Sequence, residues 1–228
     1  RGRMTVPKRL IVVYPHGFCS GVARAVDTAE KALDKYCGET VYCLNEIVHN
    51  RQVVSRLAAR GMMVVSDPAC VPEGSLLLFS AHGVSPEVRR QAETRNLRVI
   101  DATCPFVTKV HSEVLRFVSQ GACVICIGHR RHEEVVGVAG EAPGHVRIVE
   151  NAQEAEELAV PAGVPVAVVT QTTLGTAQVE PVMKVLRIAR SGTSRRQAAM
   201  RSSTFSAEAG RFISLRMRWL ACWKGTSR

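Results

Sequence analysis

Cys19 and Cys104 both stand where apolar, strand-like sequence gives way to a helical pattern. Cys104 follows the apolar run 97–100 and the polar Asp101 and Thr103, and Pro105 suits a first helical turn, where its missing N–H costs no hydrogen bond. Cys19 occupies the matching place between the apolar run 10–14 and a helical stretch from Ala23 to about Leu33, with Gly17 and Gly21 letting the backbone approach something bulky. Helix N-termini present unpaired N–H groups and the positive end of the dipole, which favour thiolate over thiol. One such cysteine alone would read first as a small buried residue. Two in equivalent strand-to-helix turns suit a shared metal or cluster, or a nucleophile.

Other turns of this kind carry the remaining chemistry: His49, His82, His129 with His132 and Glu134, and Gln171 with Thr172, while His16 precedes Cys19. A single histidine at a strand end is more often a hydrogen-bonded structural residue than a ligand. Several arriving from different strands, with two cysteines and a carboxylate, point to one convergent site. In an open parallel sheet these turns gather at the carboxyl edge, where ligands bind. Cys123 and Cys126 have CxxC spacing but fall inside a strand, so their side chains face opposite ways and cannot share a metal. Cys37, Cys43 and Cys70 read as structural, and His111 and His145 as solvated or locally bonded.

The elements that must position these residues alternate regularly. Strands are expected at 10–14, 40–44, 62–65, 76–80, 97–100, 123–128, 146–149 and 166–170, with helices between them and a last one from Thr176 to Ala189. Ser85-Pro86-Glu87 starts one of these helices in N-cap style. The alternation predicts an α/β fold: two similar domains, each a mostly parallel sheet of about four strands flanked by helices. Residues 1–9 form an N-terminal extension, 10–100 the first domain, 101–189 the second, and 190–228 a basic Arg/Ser-rich tail outside the native fold.

Composition sets the outer bounds. The 228 residues are 46% hydrophobic and 22% charged, with no apolar run long enough to span a bilayer and nothing resembling a signal peptide, so a cytoplasmic protein is expected. The eight cysteines lack disulfide-scaffold spacing, which favours reduced thiols and a metal or cluster. Nine of the thirty Lys and Arg lie in 190–228 against the single acid Glu208, so that tail holds eight of the ten net positive charges. The body therefore offers no electrostatic case for nucleic acid. Residues 212–220 could form a basic amphipathic helix, although a poorly ordered tail fits the composition better.

Two thiolates beside neutral histidines could hold zinc, although Cys₂His sites draw on closer spacings. An iron–sulfur cluster with three protein cysteines would leave one iron open to substrate. Histidine donors with Gln171 and Thr172 suit a polyoxyanion such as a diphosphate, and Glu134 could deliver a proton.

The motifs Pro15-His16-Gly17-Phe18-Cys19-Ser20-Gly21-Val22, Glu46-Ile47-Val48-His49-Asn50, Phe79-Ser80-Ala81-His82-Gly83-Val84, Asp101-Ala102-Thr103-Cys104-Pro105 with Thr108-Lys109-Val110-His111, and Thr170-Gln171-Thr172-Thr173-Leu174 closely resemble the 4-hydroxy-3-methylbut-2-enyl diphosphate reductases, in order, from about residue 9 to 189. The resemblance implies a [4Fe–4S] oxidoreductase of the non-mevalonate isoprenoid pathway. It would remove an allylic hydroxyl with two electrons and protons to give isopentenyl and dimethylallyl diphosphates, fed by a ferredoxin or flavodoxin. By motif, Cys19 and Cys104 would be cluster ligands, His49, His82 and His132 would hold the diphosphate, Glu134 would give the proton and Thr172 would lie against the substrate hydroxyl region.

Two departures stand out. Glu133 falls where the family typically has proline, and the family's third domain, with its third cluster cysteine, has no counterpart. Arg190 takes the aligned ligand position and Cys222 lies in no family-like context. Truncation or a frameshift near 190, with impaired activity, is the expectation. The competing readings are a folded remnant without a cluster and a zinc- or thiol-dependent hydrolase.

Overall fold

The structure, a computed structural model, describes residues 17–160 and 163–192. The strand expected at 10–14, His16, Cys222 and the basic segment 212–220 lie outside the described residues.

The first half contains α1 (Ser20–Lys35), β1 (Val41–Leu44), α2 (Arg51–Ala58), β2 (Met62–Val65), β3 (Leu76–Phe79), α3 (Pro86–Thr94) and β4 (Arg98–Asp101). Its sheet is parallel throughout, in the order β2-β1-β3-β4. The Leu-Leu-Leu-Phe sequence of β3 is explained by what covers it. Leu76 and Leu78 face the core formed with α1 and α2, whereas Leu77 and Phe79 face the core that holds Val84, Ala92 and Leu97. A strand buried on both faces reads as a continuous apolar run, and each fully buried Leu contributes about 1.5–3 kcal/mol.

The second half contains α4 (Pro105–Ser119), β5 (Cys123–Ile127), α5 (Glu133–Glu141), β6 (Val146–Val149), α6 (Ala152–Glu157), β7 (Val166–Thr170) and α7 (Thr176–Gly192). Its sheet is parallel in the order β6-β5-β7, three strands among the described residues where about four were expected. On the central β5, Val124 and Cys126 face the core shared with α4 and α5, and Ile125 and Ile127 face the one shared with α6 and α7. Cys126 is therefore a packing residue, and burial, with the Glu134 charge second, pushes its thiol up to about 12. Cys43 is likewise buried, and burial raises its thiol to about 12. Cys37 and Cys70 depart from the structural reading, because both are exposed, Cys37 in a turn and Cys70 at the end of a short 3-10 helix.

Helix α5 joins the halves. Its sequence, Glu-Glu-Val-Val-Gly-Val-Ala-Gly-Glu, keeps one stripe without side chains. A Cβ on Gly137 would come within 3.5 Å of the Val84 backbone, and one on Gly140 would overlap Ser85. The helix thus rests directly on the turn that follows β3. His111 reinforces this packing: it is buried on α4, and its Nδ1 meets Glu141 Oε1 at 2.6 Å. Its partner lies 30 residues away, so the bond is tertiary rather than local. His145 is exposed, as expected.

Candidate functional site

Beyond the ends of the strands, single hydrogen bonds carry the sheet pairing on into the turns. Ala81 N–H donates to Ile47 O at 3.1 Å and Cys104 N–H donates to Ala81 O at 3.0 Å. Those rungs place the turns after β1, β3 and β4 side by side, with His49 two residues past one rung, His82 one residue past it, and Cys104 on the next. In the second sheet, Gln171 N–H donates to Ile127 O at 2.9 Å, and Gln171 Oε1 accepts from His129 N–H at 3.0 Å. These bonds set the turn after β7 beside the turn after β5, which ends at the His132 cap of α5, with Glu134 in the first turn of that helix.

The two edges meet at three imidazoles. His49 and His82 stack with ring centroids 4.2 Å apart, and His132 stands edge-on to both, 5.0 and 5.5 Å away. One ring nitrogen from each falls within 4.8 Å of the others, and His49 Nε2 lies 3.1 Å from His132 Nε2. His132 is the N-cap of α5, and its Nδ1 accepts the Glu134 N–H at 3.2 Å. A ring whose Nδ1 accepts must carry its proton on Nε2 when neutral. His132 therefore presents an N–H to the shared space, which favours an oxyanion there over a cation. His82 is buried, with Ser80 Oγ 3.3 Å from its Nδ1. Desolvation, helped by His49, lowers its pKa to about 4, and desolvation moves His132 down as well. Both shifts favour the uncharged form of His82 and His132, which lets these two rings sit close together with little charge repulsion between them.

Glu134 follows directly. It is 1% exposed, yet its carboxylate accepts from Thr172 N–H at 2.6 Å and from Thr172 Oγ1 at 3.0 Å. A buried carboxyl is therefore linked through one hydroxyl to the half-buried Thr172.

The cysteines sit at the first sheet's edge. Cys19 is the N-cap of α1, with Val22 N–H 3.5 Å from its Sγ, and Cys104 is the N-cap of α4 with no capping bond from its side chain. The Cys104 sulfur lies over Gly21, where a Cβ would overlap it. Arg24 Nη1 donates to Thr103 O at 2.7 Å and fastens α1 to the Cys104 turn. Both cysteines are partly accessible. Of the seven residues to which the resemblance gives roles, His49, His82 and Cys104 follow strands of the first sheet, His132, Glu134 and Thr172 follow strands of the second, and Cys19 caps the helix whose Gly21 lies under the Cys104 sulfur.

Residues 10–202 match the LytB protein family. The chain belongs to the LytB family. The match runs somewhat past the motif resemblance, which ended near 189. The 4-hydroxy-3-methylbut-2-enyl diphosphate reductase of Acidothermus cellulolyticus is 49% identical over 180 residues, covering 79% of this chain and 53% of that protein. The protein of the same name from Mycolicibacterium gilvum is 46% identical over 183 residues, covering 80% and 55%. Among solved structures, the E-1-hydroxy-2-methyl-but-2-enyl-4-diphosphate reductase of Plasmodium falciparum superposes with a TM-score of 0.75 at 38% identity, over 78% of this LytB chain and 56% of that one. A (E)-4-hydroxy-3-methyl-but-2-enyl diphosphate reductase described as the terminal enzyme of the non-mevalonate pathway gives 0.65 at 33%, over 78% and 63%. The chain spans about half the length of the curated relatives it matches. No helix among the described residues is long and apolar enough to cross a membrane.

Sequence reasoning missed three features here. The stacking of His49 on His82 depends on the Ile47–Ala81 rung, and the His132 cap depends on where α5 begins. The third is Glu133, noted in the sequence only as a departure, whose carboxylate lies 3.6 Å from His49 Nε2.

Proposed function

We propose that this chain carries the diphosphate-binding and proton-donating half of a 4-hydroxy-3-methylbut-2-enyl diphosphate reductase, acting in the reductive removal of an allylic hydroxyl. The observation that carries the reading is the meeting of His49, His82 and His132 across the two sheets, beside a buried Glu134–Thr172 pair. A diphosphate offers oxygens on two phosphorus atoms, and three imidazoles carried on turns after separate strands can grip it without one flexible arm. Desolvation of His82 strengthens a hydrogen bond to an anion in the same low-dielectric space.

Replacing a C–OH by C–H with two electrons and two protons releases water, so one proton must reach the departing oxygen. Glu134 can hold that proton at its carboxyl and pass it through the hydroxyl of the half-buried Thr172. Because Glu134 is buried, solvent protons do not bypass it.

Cys19 and Cys104 would supply two of the three thiolates expected for a [4Fe–4S] cluster: two sulfurs on helix N-caps, with a glycine where any side chain would collide with one of them. Bound there, it would supply the electrons, which a small ferredoxin or flavodoxin would deliver. Cys43 and Cys126, buried in the sheet cores, are not candidates to join them.

The test is anaerobic reconstitution with iron and sulfide, followed by assay of the reduced protein for isopentenyl and dimethylallyl diphosphate. Broad visible absorbance that is lost in Cys104→Ser, with product formation lost in Glu134→Gln, is the expected outcome. A colourless protein that neither takes up iron nor binds inorganic diphosphate would overturn the reading.

A further inference from the structure

The histidine triad already faces one anion of its own. Glu133 is the first residue of α5, directly after the His132 cap, so its backbone is fixed while its side chain reaches across to the first sheet. There its Oε2 lies 3.6 Å from His49 Nε2, the same nitrogen that approaches His132. Its charge also reaches His82 and His132, where it opposes the downward pull of desolvation. Glu133 is thus the carboxylate felt by all three rings. The adjacent Glu134 turns inward to Thr172, and Glu46 lies on the far side of His49, 3.7 Å from Nδ1, where it would stay in place while Nε2 engages a ligand.

We propose that the Glu133 carboxylate is an internal stand-in for the diphosphate, holding the place of an oxyanion against His49 and setting the affinity of the site by having to swing out before the ligand enters. This rests on the diphosphate reading given above. Its side chain is about one-third exposed, which leaves it free to move into solvent. A carboxylate that stayed within about 4 Å of a multiply charged anion would repel it at every charge, and near a protein surface each repulsion exceeds its value in bulk water. The ligand therefore binds only with the carboxylate displaced, and the exchange of His49's partner costs part of the binding free energy.

Titration calorimetry of the full chain with inorganic diphosphate tests this, comparing wild type with Glu133→Gln, Glu133→Ala and, for net charge alone, the exposed Glu180→Gln. Both Glu133 variants should bind on the order of tenfold more tightly than wild type at low salt. The gain should shrink as salt screens the repulsion, and Glu180→Gln should match wild type. Unchanged binding in both Glu133 variants overturns the inference while leaving the diphosphate reading intact. Weaker binding also overturns it, because it would make Glu133 a support for the triad. Failure of wild type and variants alike to bind diphosphate removes the underlying reading, and this inference with it.

Discussion

Two side-chain positions carry predictions that can be read separately from turnover. Gly21 leaves the space that the Cys104 sulfur fills, and alanine there would place a methyl on that sulfur. Alanine in a helix is favoured over glycine by about 1 kcal/mol, so Gly21→Ala should unfold at nearly the wild-type urea midpoint while losing most of its iron uptake on anaerobic reconstitution. Full iron content in that variant would mean that the sulfur does not need the space. His82 gives a pH dependence. Its pKa in the fold is about 4, against 6.5 for the free side chain, because burial excludes the charged ring. Between those values the unfolded chain holds a proton that the folded chain does not, so stability is lost as pH falls through this window, by up to about 3 kcal/mol. His132 shifts in the same direction and adds to the loss. Urea midpoints at pH 7.5, 6 and 5 should fall steeply for wild type and less for His82→Gln; parallel slopes would place the titration elsewhere. The positions of Cys104, His49, His82, His132, Glu134 and Thr172 beyond strand ends could be read in the sequence, because each follows an apolar run that forms a strand. Their mutual distances could not, since Thr172 meets Glu134 across 38 residues and nothing local specifies that bond.

Helix α5 shows why small residues matter to a site they do not touch. Gly140 lies against Ser85 and Gly137 against Val84, three and two residues beyond His82, so the glycine stripe fixes the height of His132 over the histidine pair. Gly140→Ala should cost about 1–3 kcal/mol of stability through overpacking, despite the better helix propensity of alanine, and should weaken diphosphate binding by moving His132 away. A variant that is destabilised yet binds diphosphate normally would uncouple the stripe from the site. Strand and helix positions were largely foreseeable: β2, β6 and β7 coincide with the apolar runs, and the Ser85 cap is present, with its Oγ accepting from Val88 N–H at 3.4 Å. Helix α1 begins at Ser20 rather than Ala23, because Cys19 itself caps it and the apolar periodicity starts only after the first turn. The apolar run at 97–100 is displaced by one residue in the sheet, since β4 pairs from Arg98 to Asp101 and Leu97 turns into the core below.

Across the whole molecule, the site draws His49 and His82 from one sheet and His132 from the other, so a ligand held by all three ties the halves together. Inorganic diphosphate at about one hundred times its dissociation constant should stabilise the fold by about 2.7 kcal/mol. Amide exchange should slow both in β3, at Leu78, and in β5, at Ile125; slowing in only one sheet would show that the ligand is held by that half alone. The order of strands along the chain has a further consequence for synthesis. Every described strand of the first sheet has been synthesised once Asp101 is made, and after these strands emerge from the ribosome that sheet can close while the remainder is still being translated. Strand β5, the middle of the second sheet, gains its β7 neighbour only after residue 166, so His49 and His82 wait as an open pair through some sixty further codons before the third imidazole is locked opposite them.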